Sequence, residues 1–194
     1  APSREGKRYY RMLLAKAGIV IIALAGIIIF SIQKGQYKIY KQWGRMQMLY
    51  NNKAYESVAE DYVALHNRLK HKPEFLFEEA QCLNKTEQYA VAVQVLERAK
   101  QLSGDPMIRY MIAKNRQAAG EYREAEKELL HAIEILPERI YPYYLLVKLY
   151  AEPGFYQPEK LQAAAYAVLT KEAKVESRAI QEMREEIKKI LEKK

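Results

Sequence analysis

Hydrophobic positions follow two regimes along the chain. From Met12 to Ile32 the side chains are uncharged except at Lys16, and Ala17-Gly-Ile-Val-Ile-Ile-Ala-Leu-Ala-Gly-Ile-Ile-Ile-Phe-Ser-Ile32 has no charged face. A helix that is apolar all round lies either in a protein core or in lipid. At about 1.5 Å per residue, residues 12–32 would rise roughly 30 Å, the thickness of a bilayer's hydrocarbon core. Further on, the pattern becomes one of amphipathic segments of helical period separated by turn residues. Tyr55-Glu-Ser-Val58, Tyr89-Ala-Val-Ala92 and Tyr122-Arg-Glu-Ala125 share one register, at spacings of 34 and then 33 residues. Leu65, Ala99 and Ala132 stand seven residues beyond Val58, Ala92 and Ala125, and units close at turns such as Ser103-Gly-Asp-Pro106 and Leu136-Pro137. A fourth unit continues from Tyr156, loosened by Glu152-Pro-Gly-Phe-Tyr-Gln-Pro158, with its second helix expected at about Glu159 to Ala173.

This period resembles that of the tetratricopeptide repeat, in which two antiparallel helices per unit need a small side chain where they cross. Ala80, Ala113 and Val147 would stand at the crossings, with Leu83, Leu96, Leu129 and Tyr150 between repeats. Gly120 is the turn glycine, and Glu87 and Lys53 take that place in the other units. Residues 37–50 read as the first helix of the first unit, running nearly straight out of the apolar segment. The expected fold is all-α: a transmembrane helix, an α-solenoid of about four helix pairs, and a C-terminal capping helix. In residue terms this is a basic flank at 1–11, a span at 12–32, repeats at 33–173 and a cap at 174–194. In the cap, Ile180, Met183, Ile187, Ile190 and Leu191 share one face, Ser177 is positioned as N-cap, and Glu185 can pair with Lys189.

Charge sharpens this division. The chain has a formal net charge of +8, with 32 basic and 24 acidic side chains. Nine of the basic residues and one acid, Glu5, lie in residues 1–45, which leaves 23 of each sign for the other 149 residues. A neutral solenoid would release few counterions from a phosphate backbone, so a nucleic-acid partner is not expected. Basic residues on both sides of the apolar run, with Tyr9, Tyr10, Tyr37, Tyr40 and Trp43, suit a span better than a buried helix. Ala23-Leu24-Ala25 has the small-x-small form of a signal cleavage site but lies inside the run, which favours a retained anchor. Five basic residues lie on the N-side, counting Lys16 near the start of the span, and four follow it closely, a slight lean toward a cytoplasmic N-side.

Reactive chemistry is sparse. One cysteine, Cys82, permits no internal disulfide, and three isolated histidines do not make a zinc cluster. Phosphate loops, HExxH and GxSxG are absent, so no catalytic residue, cofactor or metal site is expected. Glu78-Glu79 and Glu185-Glu186 read as solvated helix surface, His66 and His71 as helix-end dipole contacts, and His131 as structural. The remaining candidate is a concave groove lined by the first helix of each unit. Counting from the repeat tyrosines, it comprises Phe77, Gln81 and Asn84, then Met107, Tyr110, Lys114 and Gln117, then Tyr141, Tyr144 and Lys148. Aromatics mixed with amides and lysines suit a protein or peptide, or a glycan acceptor. The two-carboxylate clamp of chaperone-binding members of the superfamily needs Lys and Asn where Phe77 and Gln81 stand, which disfavours chaperone tails as ligands.

A closer likeness rests on Trp43 through Leu49-Tyr50, Glu74-Phe-Leu-Phe77, Leu102-Ser-Gly-Asp-Pro106, Arg139-Ile-Tyr-Pro-Tyr-Tyr-Leu-Leu-Val-Lys-Leu-Tyr150 and Lys174-Val-Glu-Ser177 to Glu182-Met183. These segments resemble the C-terminal tail of O-antigen ligase and polymerase-like membrane proteins that end in tetratricopeptide repeats, with residues 7–32 matching a final transmembrane helix. The resemblance implies a non-catalytic part of a cell-envelope polysaccharide assembly protein in the bacterial inner membrane; with the basic N-side in the cytoplasm, the repeats would face the periplasm, and the opposite orientation stays open. The alternative is a stand-alone membrane-anchored scaffold that recruits envelope proteins.

Overall fold

The computed structural model describes residues 4–192, and the side chains of 12 and 16–192. The readings placed on the basic flank 1–11, including Tyr9 and Tyr10, therefore fall outside the described side chains, as do the last two residues of the cap. The chain divides into two compact units, one ending at Met48 and the other beginning at Leu49.

The first unit is the greater part of a single helix, α1 (Arg4–Asn51). It runs without interruption through the expected end of the span at Ile32 and through residues 37–50. No proline occurs between Ser3 and Lys72, so nothing removes a backbone donor along it. Among the described residues, α1 is the one helix long and apolar enough to cross a membrane, over Lys16–Asn51, and none of its apolar window is buried. Ile22 and Ile19 are 73% and 67% exposed, values that water would penalise and a lipid environment would not.

The second unit is a stack of helices in chain order: α2 (Tyr55–Leu69), α3 (Pro73–Lys85), α4 (Tyr89–Leu102), α5 (Pro106–Ala118), α6 (Tyr122–Ile135), α7 (Ile140–Tyr150), α8 (Pro158–Thr170) and α9 (Arg178–Glu192). Each packs on the next, and α3, α5, α7 and α9 also meet one another in sequence, forming one layer of the solenoid. Pro73, Pro106 and Pro158 open their helices in the first turn, where a missing N–H costs nothing. Asp105 caps α5, its carboxylate accepting from Met107 N at 2.9 Å.

The repeated tyrosines begin α2, α4 and α6, as the register requires. Two residues before each stands the left-handed position: Lys53 at φ 61°, Glu87 at 60° and Gly120 at 79°. The following amide reaches back five residues each time, Ala54 to Leu49, Gln88 to Leu83 and Glu121 to Arg116, at 3.0, 2.8 and 2.8 Å. These are Schellman endings, so three turns share one backbone solution although only one carries glycine. The fourth unit departs from it: a 3-10 turn, Pro153–Phe155, intervenes and α8 starts at Pro158. Phe155 fills that turn, stacked on Tyr122 with ring centroids 5.6 Å apart.

The small crossing residues Ala80, Ala113 and Val147 are fully buried, as are Ala92, Ala125 and Ala132. Ala113, Ala125, Ala132 and Val147 belong to one continuous core that also takes in Ile187 of α9. Ile180, Ile190 and Leu191 pack against it, and Ser177 accepts from Ile180 N at 3.4 Å at the start of the cap.

Candidate ligand groove

The layer α3, α5 and α7 carries all ten residues expected to line the groove, and packing sorts them. Asn84, Lys114, Gln117, Tyr141, Tyr144 and Lys148 surround one cavity of about 400 Å³, together with Tyr89, Ala118, Leu145 and Glu152. Phe77, Gln81, Met107 and Tyr110 do not line it. Gln81 is committed elsewhere, accepting from Tyr50 Oη at 2.5 Å and donating to Tyr55 Oη at 3.3 Å. Phe77 is half-buried on α3, and Met107 is exposed in the first turn of α5. Tyr110 is a core residue, 4% exposed, because the Tyr141 ring lies edge-on to it at 5.2 Å. Its hydroxyl has no hydrogen-bond partner among the described protein atoms. Burial pushes its pKa up, against a downward pull from Arg139.

The cavity wall is fixed by polar contacts that helical periodicity does not reveal. Asn84 Nδ2 donates to Asn115 Oδ1 at 3.0 Å, and Asn115, fully buried, donates in turn to Met111 O at 2.8 Å. Gln117 Nε2 donates to Glu152 Oε1 at 2.7 Å. Tyr141 and Tyr144 stack with centroids 6.0 Å apart, and the Lys148 ammonium lies 5.3 Å from the Tyr144 ring centre.

Glu186 of α9 is drawn into this site, a departure from the solvated surface expected of Glu185-Glu186. It accepts from Tyr144 Oη at 2.6 Å and from Lys148 Nζ at 3.1 Å. The Tyr144 bond holds its carboxyl below the usual glutamate range, with Lys148 adding to the effect against burial. Lys148 is pulled down by partial burial, but its bonds to Glu186 and Tyr144 outweigh this and raise it. Lys114 behaves in the opposite way. It is exposed at its surface, yet the groove walls strip part of its hydration, and Lys85 and Lys148 repel it, so its pKa falls below that of an ordinary lysine.

Glu78 and Glu79 also depart from the surface expectation. Glu79 is 2% exposed and meets His66 Nδ1 at 2.8 Å, while Glu78 accepts from Tyr62 Oη at 2.9 Å. His66 stands in the last turn of α2, as expected of a helix-end residue, and in addition faces a carboxylate on the next helix. His131 lies on the surface beside Glu134, at 3.2 Å. Burial raises the Cys82 thiol to about 12, with Glu78 and Glu79 adding to the effect, which keeps it unreactive at neutral pH. Among the described residues no group of three or more His, Cys, Asp or Glu side chains converges as a metal site would.

The family model described as anaphase-promoting complex, cyclosome, subunit 3 matches residues 46–132, rather less than half of the chain. No curated protein matches. Among solved structures, the MamA RS-1 ArsTM double mutant is similar at 19% identity with a TM-score of 0.59, over 80% of this chain and 96% of that one. MamA 41-end from Desulfovibrio magneticus RS-1 is similar at 18% identity and a TM-score of 0.61, over 80% and 92%. These likenesses establish the fold as a tetratricopeptide-type solenoid.

Proposed function

We propose that this tetratricopeptide-type chain is a membrane-anchored protein-interaction module whose groove holds a protein or peptide partner and which performs no chemistry of its own. The observation that carries the reading is the convergence of Asn84, Lys114, Gln117, Tyr141, Tyr144 and Lys148 on one open cavity. Solenoids of this kind act through such surfaces, and aromatic rings beside amides and two lysines offer apolar area together with hydrogen bonds. The exposed apolar length of α1 supports an anchor at residues 12–32. Alkaline extraction of native membranes tests that part: the chain stays in the pellet, and deletion of residues 17–32 releases it. Replacing Lys114, Tyr141 and Tyr144 together by alanine tests the groove, and partner crosslinks unchanged in that variant would refute it.

The finer reading, the non-catalytic tail of an O-antigen ligase-like protein with its repeats in the periplasm, is supported by the sequence resemblance and by the charge balance about the span. An immunoblot of native membranes with an antibody against residues 46–194 separates it from the scaffold reading. A band far above 22.7 kDa is the outcome expected of a tail, and one near 22.7 kDa that of a stand-alone anchored scaffold.

A further inference from the structure

The two lysines of the groove occupy the same place in successive repeats. Lys114 on α5 and Lys148 on α7 are 34 residues apart, the period of the solenoid. Lys148 has its counter-ion, because α9 places Glu186 Oε1 at 3.1 Å from its ammonium, with Tyr144 Oη bonded to the same carboxylate. Lys114 has none: no carboxylate among the described residues lies within ion-pair distance of it. The helix that follows it in the layer is α7, and α7 offers Tyr141, Tyr144, Leu145 and Lys148 to the cavity where α9 offers an acid. Glu152, on the same wall, is turned to Gln117 at 2.7 Å. The chain therefore carries, in one register, a lysine that has its acid and a lysine that does not, and the paired one identifies the chemistry; Tyr110, the counterpart of Tyr144, is buried beneath Tyr141 and takes no part.

Resting on the groove reading above, we infer that the partner inserts an acidic side chain of a peptide segment against Lys114, as α9 inserts Glu186 against Lys148. Geometry and charge agree on this. Lys85 adds positive potential around Lys114, as does Lys148 in the part that Glu186 leaves uncompensated, which makes an incoming carboxylate favourable and a cation unfavourable. Asn84 and Gln117, anchored by Asn115 and Glu152, flank the entry with amides suited to a peptide backbone. The stacked Tyr141–Tyr144 pair supplies the apolar wall beside it.

The test is selection of a random peptide display library on the full chain in lipid nanodiscs, repeated on Lys114→Met, Lys114→Glu and Tyr141→Ala. Lys114 is exposed, and thermal unfolding of each variant confirms that it folds. The expected result is a set of binders with Asp or Glu at one fixed position. Their affinity falls about tenfold in Lys114→Met, as loss of one charge-assisted hydrogen bond gives. In Lys114→Glu the preference at that position turns to Lys or Arg. Groove binders weakened by Tyr141→Ala but without an acidic position, or unchanged in Lys114→Glu, overturn the ligand chemistry and leave the groove standing. Binders indifferent to Tyr141→Ala, or no binders at all, overturn the groove itself. Retention of an acidic oligosaccharide in place of peptides, lost in Lys114→Met, overturns the assignment to a peptide.

Discussion

The three Schellman endings contain their own control experiment, since Gly120 occupies the left-handed position in one and Glu87 and Lys53 occupy it in the others. A side chain with Cβ in that region costs about 1–2 kcal/mol relative to a right-handed conformation. Glycine removes this cost but widens the unfolded ensemble, returning about 0.4–1 kcal/mol. Glu87→Gly is therefore expected to stabilise the second unit by roughly 0.5–1 kcal/mol, because the Glu87 side chain is exposed and no hydrogen bond or ion pair would be lost with it. Gly120→Ala is the mirror experiment. A Cβ at Gly120 would meet nothing within 4 Å, so the cost is that of backbone conformation alone, and a loss of about 0.5–1 kcal/mol is expected. Thermal unfolding of the full chain in detergent, followed by far-ultraviolet circular dichroism, reads both. For a unit of this size the midpoint should move by about 2–4 °C per kcal/mol, upward for Glu87→Gly and downward for Gly120→Ala. A lower midpoint for Glu87→Gly would show that unfolded-state entropy outweighs backbone strain, and would refute the reasoning.

Other expectations follow from burial and charge. Tyr110→Phe removes a buried hydroxyl that has no partner while keeping the ring against Tyr141, and should raise stability by about 1 kcal/mol in urea unfolding; a loss would mean that the hydroxyl is satisfied. Ala113→Leu forces extra volume into a crossing that is 1% exposed and should cost about 1–3 kcal/mol, whereas the same change at exposed Ala119 should cost little. Glu128, partly desolvated, is nonetheless held below the usual glutamate range by Lys100 at 2.9 Å and Arg109 at 2.8 Å. A depressed carboxyl stabilises the fold above its unfolded pKa and ceases to do so as pH falls through its folded value. A midpoint scan below the ordinary glutamate pKa should therefore decline less steeply in Glu128→Gln than in the parent chain.

The period of 33 to 34 residues was legible because it reflects a packing constraint. Helices that cross closely accept only small side chains, so Ala80, Ala113, Ala92 and Ala125 had to recur, and their burial follows from that. The turn position was legible through Gly120, and its equivalence at Lys53 and Glu87 through spacing alone. What one-dimensional periodicity leaves open is which side chains of an inner helix a neighbouring helix covers. Tyr110 stands in register with Tyr144, yet the Tyr141 ring closes over Tyr110 and nothing equivalent closes over Tyr144. Glu186 and Glu79 read as surface because their partners, Tyr144 and Lys148 or His66, stand 13 to 42 residues away, beyond the reach of any pattern along one helix. Asn84 is legible as a cavity-facing position of its helix, but Asn115, which orients it, lies on the buried face and gives no signal.

The cap helix has a consequence for the order in which the molecule opens. Every other helix of the stack buries several side chains, whereas α9 has one fully buried anchor, Ile187. Its other attachments, Ile180, Ile190 and Leu191 at the core's edge and the bonds of Arg184 and Glu186, are only partly buried, so α9 is the helix expected to exchange its amide protons through local opening before the stack as a whole unfolds. Each such opening withdraws Glu186 from Lys148 and lays bare the last turn of the core. The charge of the groove is therefore not a fixed property of the repeats that form it. It is expected to follow the docking of the fifteen-residue helix α9, and protection factors along α9 would report how often the surface alternates between one unpaired lysine and two.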